Sequence, residues 1–405
     1  WLFMFRCQVC TSKTVKILLD FGFKPLCNRF VKHSKHEEYT HPLVLGQCID
    51  CGLVQITNPV PSDEITPRVE WLEYNEPEGH LDNLAEFLCN LDGLPEDPVA
   101  CGISYKDDSL LKRLKENIFS DTWRIDPIDF DITRKGIAGE TIIPKITQTS
   151  VDKLVSKYGR VNLIIARHVL EHALDTQLFI DSIKDLLEPG AYVVFEVPDC
   201  TLQIQECDFT MLWEEHILYF TPYTLKNSFK NTCFNLLHYK SYPYPVENAL
   251  VAIVQKNNKE LKQLNYDALL ANQQQVNANN YASSFLNSRE LLKRYIVNYS
   301  NSSGRIAVFG AGHISVMFIN LMEIKDSIEF VVDDDSNKQG FYIPGTNIPI
   351  KPSNFLVTKG IKLCLLGLSP ESEKKVINSN NEFTSKGGKF LSIFPNRRNS
   401  IQAIV

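Results

Sequence analysis

Four of the eleven cysteines stand in two short pairs, Cys7-Gln8-Val9-Cys10 and Cys48-Ile49-Asp50-Cys51. Two residues between thiols let one tight turn aim both sulfurs at a single ion, so two such pairs can close a tetrahedral zinc site. Gly52, directly after the second pair, suits that turn because glycine adopts positive φ without steric cost. Redox dithiols are the competing chemistry, but a redox pair is normally one C-x-x-C set in a βαβ unit. We therefore expect Zn2+ on Cys7, Cys10, Cys48 and Cys51, with no open coordination position and hence a folding role. His33, His36 and His41 lie between the pairs as possible substitute ligands. The other cysteines are scattered, as small buried residues are.

A second group of reactive side chains follows an apolar run. Val161-Asn162-Leu163-Ile164-Ile165-Ala166 leads into Arg167-His168-Val169-Leu170-Glu171-His172, and Trp213-Glu214-Glu215-His216 comes later. A histidine titrates near neutrality and can take a proton at working pH, and a neighbouring carboxylate can orient it.

These residues need a scaffold. From about residue 90 short apolar runs alternate with amphipathic stretches, which is α/β layering. We expect strands at 99–104, 123–126, 161–166 and 192–197, helices at 109–116 and 176–187, and a helix-to-strand turn at Pro189-Gly190. In doubly wound sheets ligands bind at the carboxyl ends of the strands, where 167–172 falls. Asn58-Pro59-Val60-Pro61-Ser62-Asp63 closes the cysteine-bearing segment. Residues 257–303 are polar, with Leu261, Leu264, Tyr266, Leu269 and Leu270 at helical intervals. A second α/β unit opens with a strand at 305–309, the turn Gly310-Ala311-Gly312, a helix to Met322 and a strand at 328–332. The expected organisation is a zinc-binding module at 1–62, a helical connector at 63–90, an α/β domain at 91–256, a helical linker at 257–303 and a Rossmann-like domain at 304–405.

The order of strand, His168-Val169-Leu170-Glu171-His172, helix, Leu187-Glu188-Pro189-Gly190, strand, Glu196-Val197-Pro198-Asp199 and Trp213-Glu214-Glu215-His216-Ile217-Leu218-Tyr219-Phe220 resembles the sugar C-methyltransferase family. So do Phe309-Gly310-Ala311-Gly312-His313, Asp333–Gly340 and Ile343–Ile350 in the last unit. The resemblance implies an N-terminal zinc module, a class I S-adenosylmethionine-dependent methyltransferase domain and a Rossmann-like C-terminal domain. It also implies a nucleotide-linked keto sugar as substrate, docked between the two α/β domains.

By the same resemblance His216 is the base that removes a proton beside the ketone, with Glu215 next to it. His172 and Tyr74 hydrogen-bond the developing enolate oxygen, and Trp213 stands where the family carries a second tyrosine. The family's cofactor turn, E-x-G-x-N-D-G, falls on Gly102-Ile103-Ser104-Tyr105-Lys106-Asp107-Asp108, where Ser104 and Asp108 replace glycines. The expected cofactor positions are Gly102, Ser104, Asp107, His168 and Asp126. Asp126 lies about 20 residues beyond Asp107, the spacing of an acidic residue that holds ribose hydroxyls.

Composition excludes other classes. Hydrophobic residues at 44% and charged residues at 22% describe a globular chain with a core. A net charge of -6 gives no global reason to bind nucleic acid, and no apolar run is long enough to span a membrane. The opening apolar stretch is too short for a secretory signal, so we expect a cytoplasmic protein. Two rival readings remain at this level. Gly310-Ala311-Gly312 with Asp333 about 20 residues on is also how a dinucleotide site begins, which would suit an NAD-dependent sugar oxidoreductase. The altered glycine turn also admits a methyltransferase-like protein that binds a nucleotide sugar without turnover.

Overall fold

The computed structural model describes residues 6–32, 38–69, 76–132, 139–230, 232–257 and 267–404. It falls into two compact units, one of Trp1–Leu18, Leu45–Thr201 and Glu215–Val276, the other of Leu19–Val44, Leu202–Glu214 and Asn277–Val405. These units cut across the linear modules read from the sequence. Leu19–Val44, from the segment between the two cysteine pairs, and Leu202–Glu214 both belong to the same unit as the C-terminal residues.

The strands are β1 (Val15–Pro25), β2 (Thr40–Cys48), β3 (Val54–Ile56), β4 (Val99–Gly102), β5 (Asp121–Arg124), β6 (Val161–Arg167), β7 (Leu187–Asp199), β8 (Leu218–Tyr219), β9 (Phe234–Tyr242) and β10 (Asn248–Lys256), then β11 (Ile306–Phe309), β12 (Ile328–Val332), β13 (Ile350–Lys351), β14 (Leu363–Leu366) and β15 (Lys389–Ser392). They form a four-stranded sheet in the order β1-β2-β3-β8, a six-stranded sheet β5-β4-β6-β7-β10-β9 and a five-stranded sheet β13-β12-β11-β14-β15.

In the six-stranded sheet β5, β4, β6 and β7 run parallel and β10 is antiparallel to both of its neighbours. Parallel strands covered on both faces must be apolar throughout. Accordingly Val161, Leu163, Ile164, Ile165 and Ala166 are all fully buried. Side chains of β6 alternate between two cores, Ile164 and Ala166 joining Val193, Phe195 and Ile180 on one face and Leu163 and Ile165 joining Leu84, Leu110 and Leu114 on the other. Each such side chain withdrawn from water stabilises the fold by about 1.5–3 kcal/mol.

The helix Asp108–Lys115 buries Leu110, Leu111 and Leu114, one stripe at helical spacing. Helix Thr176–Ile183 starts where the Asp175 carboxylate accepts the Leu178 N–H at 2.9 Å. It stops four residues before the expected end, passing through a short 3-10 turn into β7. Pro189-Gly190 is therefore not a helix-to-strand turn but lies inside β7. Gly190 has φ +77°, and the register with β6 jumps from Val161↔Leu187 to Leu163↔Tyr192, a bulge that absorbs the extra residues.

The expected connector contains the helices Ser62–Ile65 and Leu81–Cys89. The expected linker contains one 35-residue helix, Ala268–Ser302, while Leu261, Leu264 and Tyr266 lie outside the described residues. Among the described residues no helix is long and apolar enough to cross a membrane.

The C-terminal sheet is all parallel, with β11 central. Helix His313–Met322 follows the Gly310-Ala311-Gly312 turn, as read from the sequence. Gly310 has φ +103°, and a Cβ there would lie 2.9 Å from the Gly367 carbonyl oxygen, so the glycine serves backbone packing.

Candidate active site and metal-binding cysteines

The two cysteine pairs meet. Cys7 and Cys51 sulfurs are 3.6 Å apart and those of Cys10 and Cys48 3.5 Å apart. All four lie within 4.8 Å of one another, with Cys7, Cys48 and Cys51 fully buried. A tetrahedral site with Zn–S bonds of about 2.3 Å separates sulfurs by roughly 3.8 Å, so the clustered thiols suit a zinc ion. Gly52, at φ +78°, donates its N–H to the Cys48 carbonyl at 3.0 Å and turns the second pair back.

His41 sits instead beside Tyr39, its Nδ1 3.3 Å from the phenol oxygen, while His33 and His36 lie outside the described residues. The cysteine turn is tied to the sheet's flank: the Gln8 carbonyl accepts the Thr176 N–H at 3.3 Å, and the Val9 carbonyl accepts Gln177 Nε2 at 3.1 Å.

At the carboxyl end of β4, β6 and β7 lies a buried network of charge. Arg167, fully buried, grips the Glu196 carboxylate with Nε at 2.7 Å and Nη2 at 3.2 Å and donates Nη1 to the Lys106 carbonyl at 2.6 Å. His168 and His80 each place Nε2 3.1 Å from Glu196. Lys106 Nζ pairs with Glu76 at 2.5 Å, and His168 Nδ1 lies 3.6 Å from Glu76 and 3.5 Å from Glu171.

The network settles its own charges. Burial opposes protonation of His168, but Glu76, Glu171 and Glu196 raise its pKa to about 10. Burial alone would raise Glu76, yet His168 and Lys106 hold it down to about 2. His168 adopts φ +50°, unusual for a residue with a side chain, and the surrounding ion pairs hold it there.

Of the expected cofactor positions, Gly102, Ser104, Asp107 and His168 are buried and Asp126 is exposed. Asp107 turns inward. Its carboxylate accepts N–H groups from Ile103 at 2.7 Å, Ser104 at 2.8 Å and Arg167 at 3.0 Å, and burial pushes its pKa up to about 7 against those bonds. Gly102 makes room for it, since an added Cβ would stand 2.8 Å from the Asp107 Cβ. The turn after β4 is therefore filled by its own carboxylate rather than left as an open glycine cradle. Asp126 follows the carboxyl end of β5, which pairs with β4, and one of its carboxylate oxygens accepts the Ile128 N–H at 3.0 Å. An exposed carboxylate at a strand's carboxyl end has the chemistry a ribose diol requires.

His172 and His216 come together at this edge, ring centroids 5.0 Å apart and planes at 76°. Two bonds join their segments: Ile217 N–H to the Glu171 carbonyl at 2.8 Å, and His172 Nδ1 to the Glu215 carbonyl at 2.7 Å. A carbonyl only accepts, so Nδ1 carries the proton. A neutral His172 has then spent its single N–H, and stabilising an enolate requires another donor. Tyr74, the expected one, lies outside the described residues.

The carboxylate that stands with the two rings is Glu171, within 4.8 Å of both. Glu171, which lies inside the His168–His172 run, stands here beside the expected Glu215, the neighbour of His216 in sequence. Trp213 belongs to the other unit, where its indole stacks on His313 at 4.1 Å and 17°.

In the C-terminal unit Asp333 accepts the Ala311 N–H at 2.9 Å and Lys338 Nζ at 3.0 Å. It is thus bound to its own turn, which weakens the dinucleotide reading.

Three family models match in order: the "Putative zinc binding domain" over residues 7–65, a methyltransferase domain over 94–239 and the C-methyltransferase C-terminal domain over 252–395. The chain is similar to the C-methyltransferase NovU of Streptomyces niveus, 20% identical over 97% of this chain and 96% of that one. Among solved structures it is similar to the 1,6-didemethyltoxoflavin-N1-methyltransferase of Burkholderia thailandensis, with bound 1,6-didemethyltoxoflavin and S-adenosylhomocysteine (14% identity, TM-score 0.30, 45% of this chain and 80% of that one). Another is the magnesium protoporphyrin IX methyltransferase of Synechocystis with bound S-adenosylhomocysteine (11% identity, TM-score 0.29, 44% and 82%).

Proposed function

We propose that the chain is an S-adenosylmethionine-dependent C-methyltransferase of the three-module family and that it methylates a carbon beside the ketone of a nucleotide-linked keto-deoxysugar, with His216 as the base. The observation that carries this reading is the meeting of His216 with His172 and Glu171 at the carboxyl end of β6.

A half-buried imidazole can take a proton from a carbon acid, and the buried Glu171 carboxylate stabilises the positive ring that results. The bond from His172 to the Glu215 carbonyl fixes the tautomer of His172, with the proton on Nδ1. Asp126 would hold the ribose hydroxyls of the cofactor, which when bound supplies an electrophilic methyl group. Because methyl transfer itself offers side chains little to assist, holding the carbanion at attack distance is the protein's main contribution. The zinc on the four thiols is structural, and the C-terminal domain takes the nucleotide end of the substrate.

The test is to incubate the protein with nucleoside-diphosphate-linked keto-deoxysugars and S-adenosylmethionine, then read the product by mass spectrometry and NMR. Transfer of one methyl group to the carbon beside the carbonyl is expected. Methylation at oxygen or nitrogen, or none on any keto sugar, overturns the reading.

A further inference from the structure

We infer that Glu171, His172 and His216 form a second metal site, selective for a divalent transition ion and separate from the four cysteines. Each residue offers one ligand atom, and these atoms lie within 4.8 Å of one another. Two imidazoles and a carboxylate are the donor set that zinc, cobalt or nickel prefers over magnesium or calcium.

Two independent features point to an ion. Glu171 is 1% exposed, and among the described residues neither carboxylate oxygen has a partner at hydrogen-bond geometry, with the charges of His168, its Nδ1 3.5 Å away, and Lys106 nearby. A carboxylate so placed has nearby positive charge but lacks the well-formed hydrogen bonds that normally compensate its removal from water. His172, in turn, commits Nδ1 to the Glu215 carbonyl, the outer bond that metal-ligating histidines characteristically make to orient the opposite nitrogen.

Bonds of about 2.1 Å around a tetrahedral ion place ligand atoms roughly 3.4 Å apart, so the three ligand atoms must draw together somewhat to close on one. His216 is half-buried, which gives an ion access from solvent. Three protein ligands leave further positions for water or for an oxygen of the acceptor.

The ion uses the same lone pair on His216 that would take the proton. Occupation therefore switches the base off, a consequence that rests on the function proposed above, whereas metal binding itself does not.

The experiment titrates the zinc-loaded protein with Co2+ by calorimetry and visible spectroscopy. One further equivalent is expected, with the weak d–d bands of nitrogen and oxygen ligation and without thiolate charge-transfer bands. Glu171→Gln and His216→Ala should each weaken that uptake at least tenfold while the cysteine-bound zinc and the near-ultraviolet circular dichroism stay unchanged. Absence of a further equivalent, or uptake equal to wild type in the Glu171→Gln/His216→Ala double variant, overturns the site. Solvent deuterium exchange at the α-carbon of an accepted keto sugar then separates the two proposals. Exchange that stops on adding the ion and returns with a mild chelator supports both. Exchange untouched by a bound ion overturns the switch, and exchange missing from the unloaded wild type overturns the base.

Discussion

His216 has neighbours that a structural core histidine does not need: a second imidazole, a buried carboxylate and partial access to solvent. If it is the base, His216→Ala should slow methyl transfer by on the order of a hundredfold or more. It should also abolish α-proton exchange without methyl donor, leaving zinc content and melting temperature near wild type. A melting temperature that falls with activity would instead mark an emptied packing position. Asp126 carries a separate expectation. Its carboxylate is exposed just beyond β5, so Asp126→Ala should weaken S-adenosylmethionine binding by about 1–3 kcal/mol, the value of hydrogen bonds to a charged group, while the lost cap on Ile128 costs the fold about 0.5–2 kcal/mol. Calorimetry reads this directly, and unchanged affinity would place the ribose elsewhere.

The turn after β4 is the element in which this chain departs most from an open cofactor loop. Asp107 replaces a glycine cradle with a carboxylate that closes three backbone N–H groups from two strands' ends. Burial raises its pKa to about 7, above the ordinary 3.8. Between those values the folded protein binds a proton that the unfolded chain has released, so this group's contribution to stability falls as pH rises from 3.8 towards 7. Asp107→Asn cannot ionise and leaves one backbone N–H facing an amide NH2. It should be less stable than wild type by about 1–3 kcal/mol at low pH, where Asp107 is protonated in both states, with the gap narrowing and then reversing as pH rises from 3.8 towards 7. Thermal melts of both proteins across that range check the sign. A gap that widens with pH would mean that Arg167 dominates over burial.

For the whole molecule the cysteine site is the strongest constraint. Its turn carries the carbonyls that hold the first residues of helix Thr176–Ile183, so metal loss should reach the six-stranded sheet. We expect one tightly held zinc on Cys7, Cys10, Cys48 and Cys51, lost on Cys51→Ser. The melting temperature should fall with it, by about 2–4 °C for each kcal/mol removed from a unit of this size. Elemental analysis and calorimetry test both, and a folded, zinc-free wild type would refute the assignment.

That zinc set was legible in residue order alone, because two residues between thiols is a local turn geometry that needs no tertiary information. So were β6, β11 and β12 and the helix His313–Met322, since a strand buried on both faces and a helix after a glycine turn write their pattern into neighbouring residues. Segments whose outcome depends on distant partners were not. Pro189-Gly190 entered a strand because β6 offered a bulged register, Asp107 turned inward because Arg167 presented its N–H, and Leu19–Val44 folded with the second unit. Glu171 joined His216 through bonds across more than forty positions of chain, from Ile217 to Glu171 and from His172 to Glu215. Spacing along the chain determines which side chains a turn can aim together. Which carboxylate meets which imidazole is decided by how strand ends pack, and that energy belongs to no single segment.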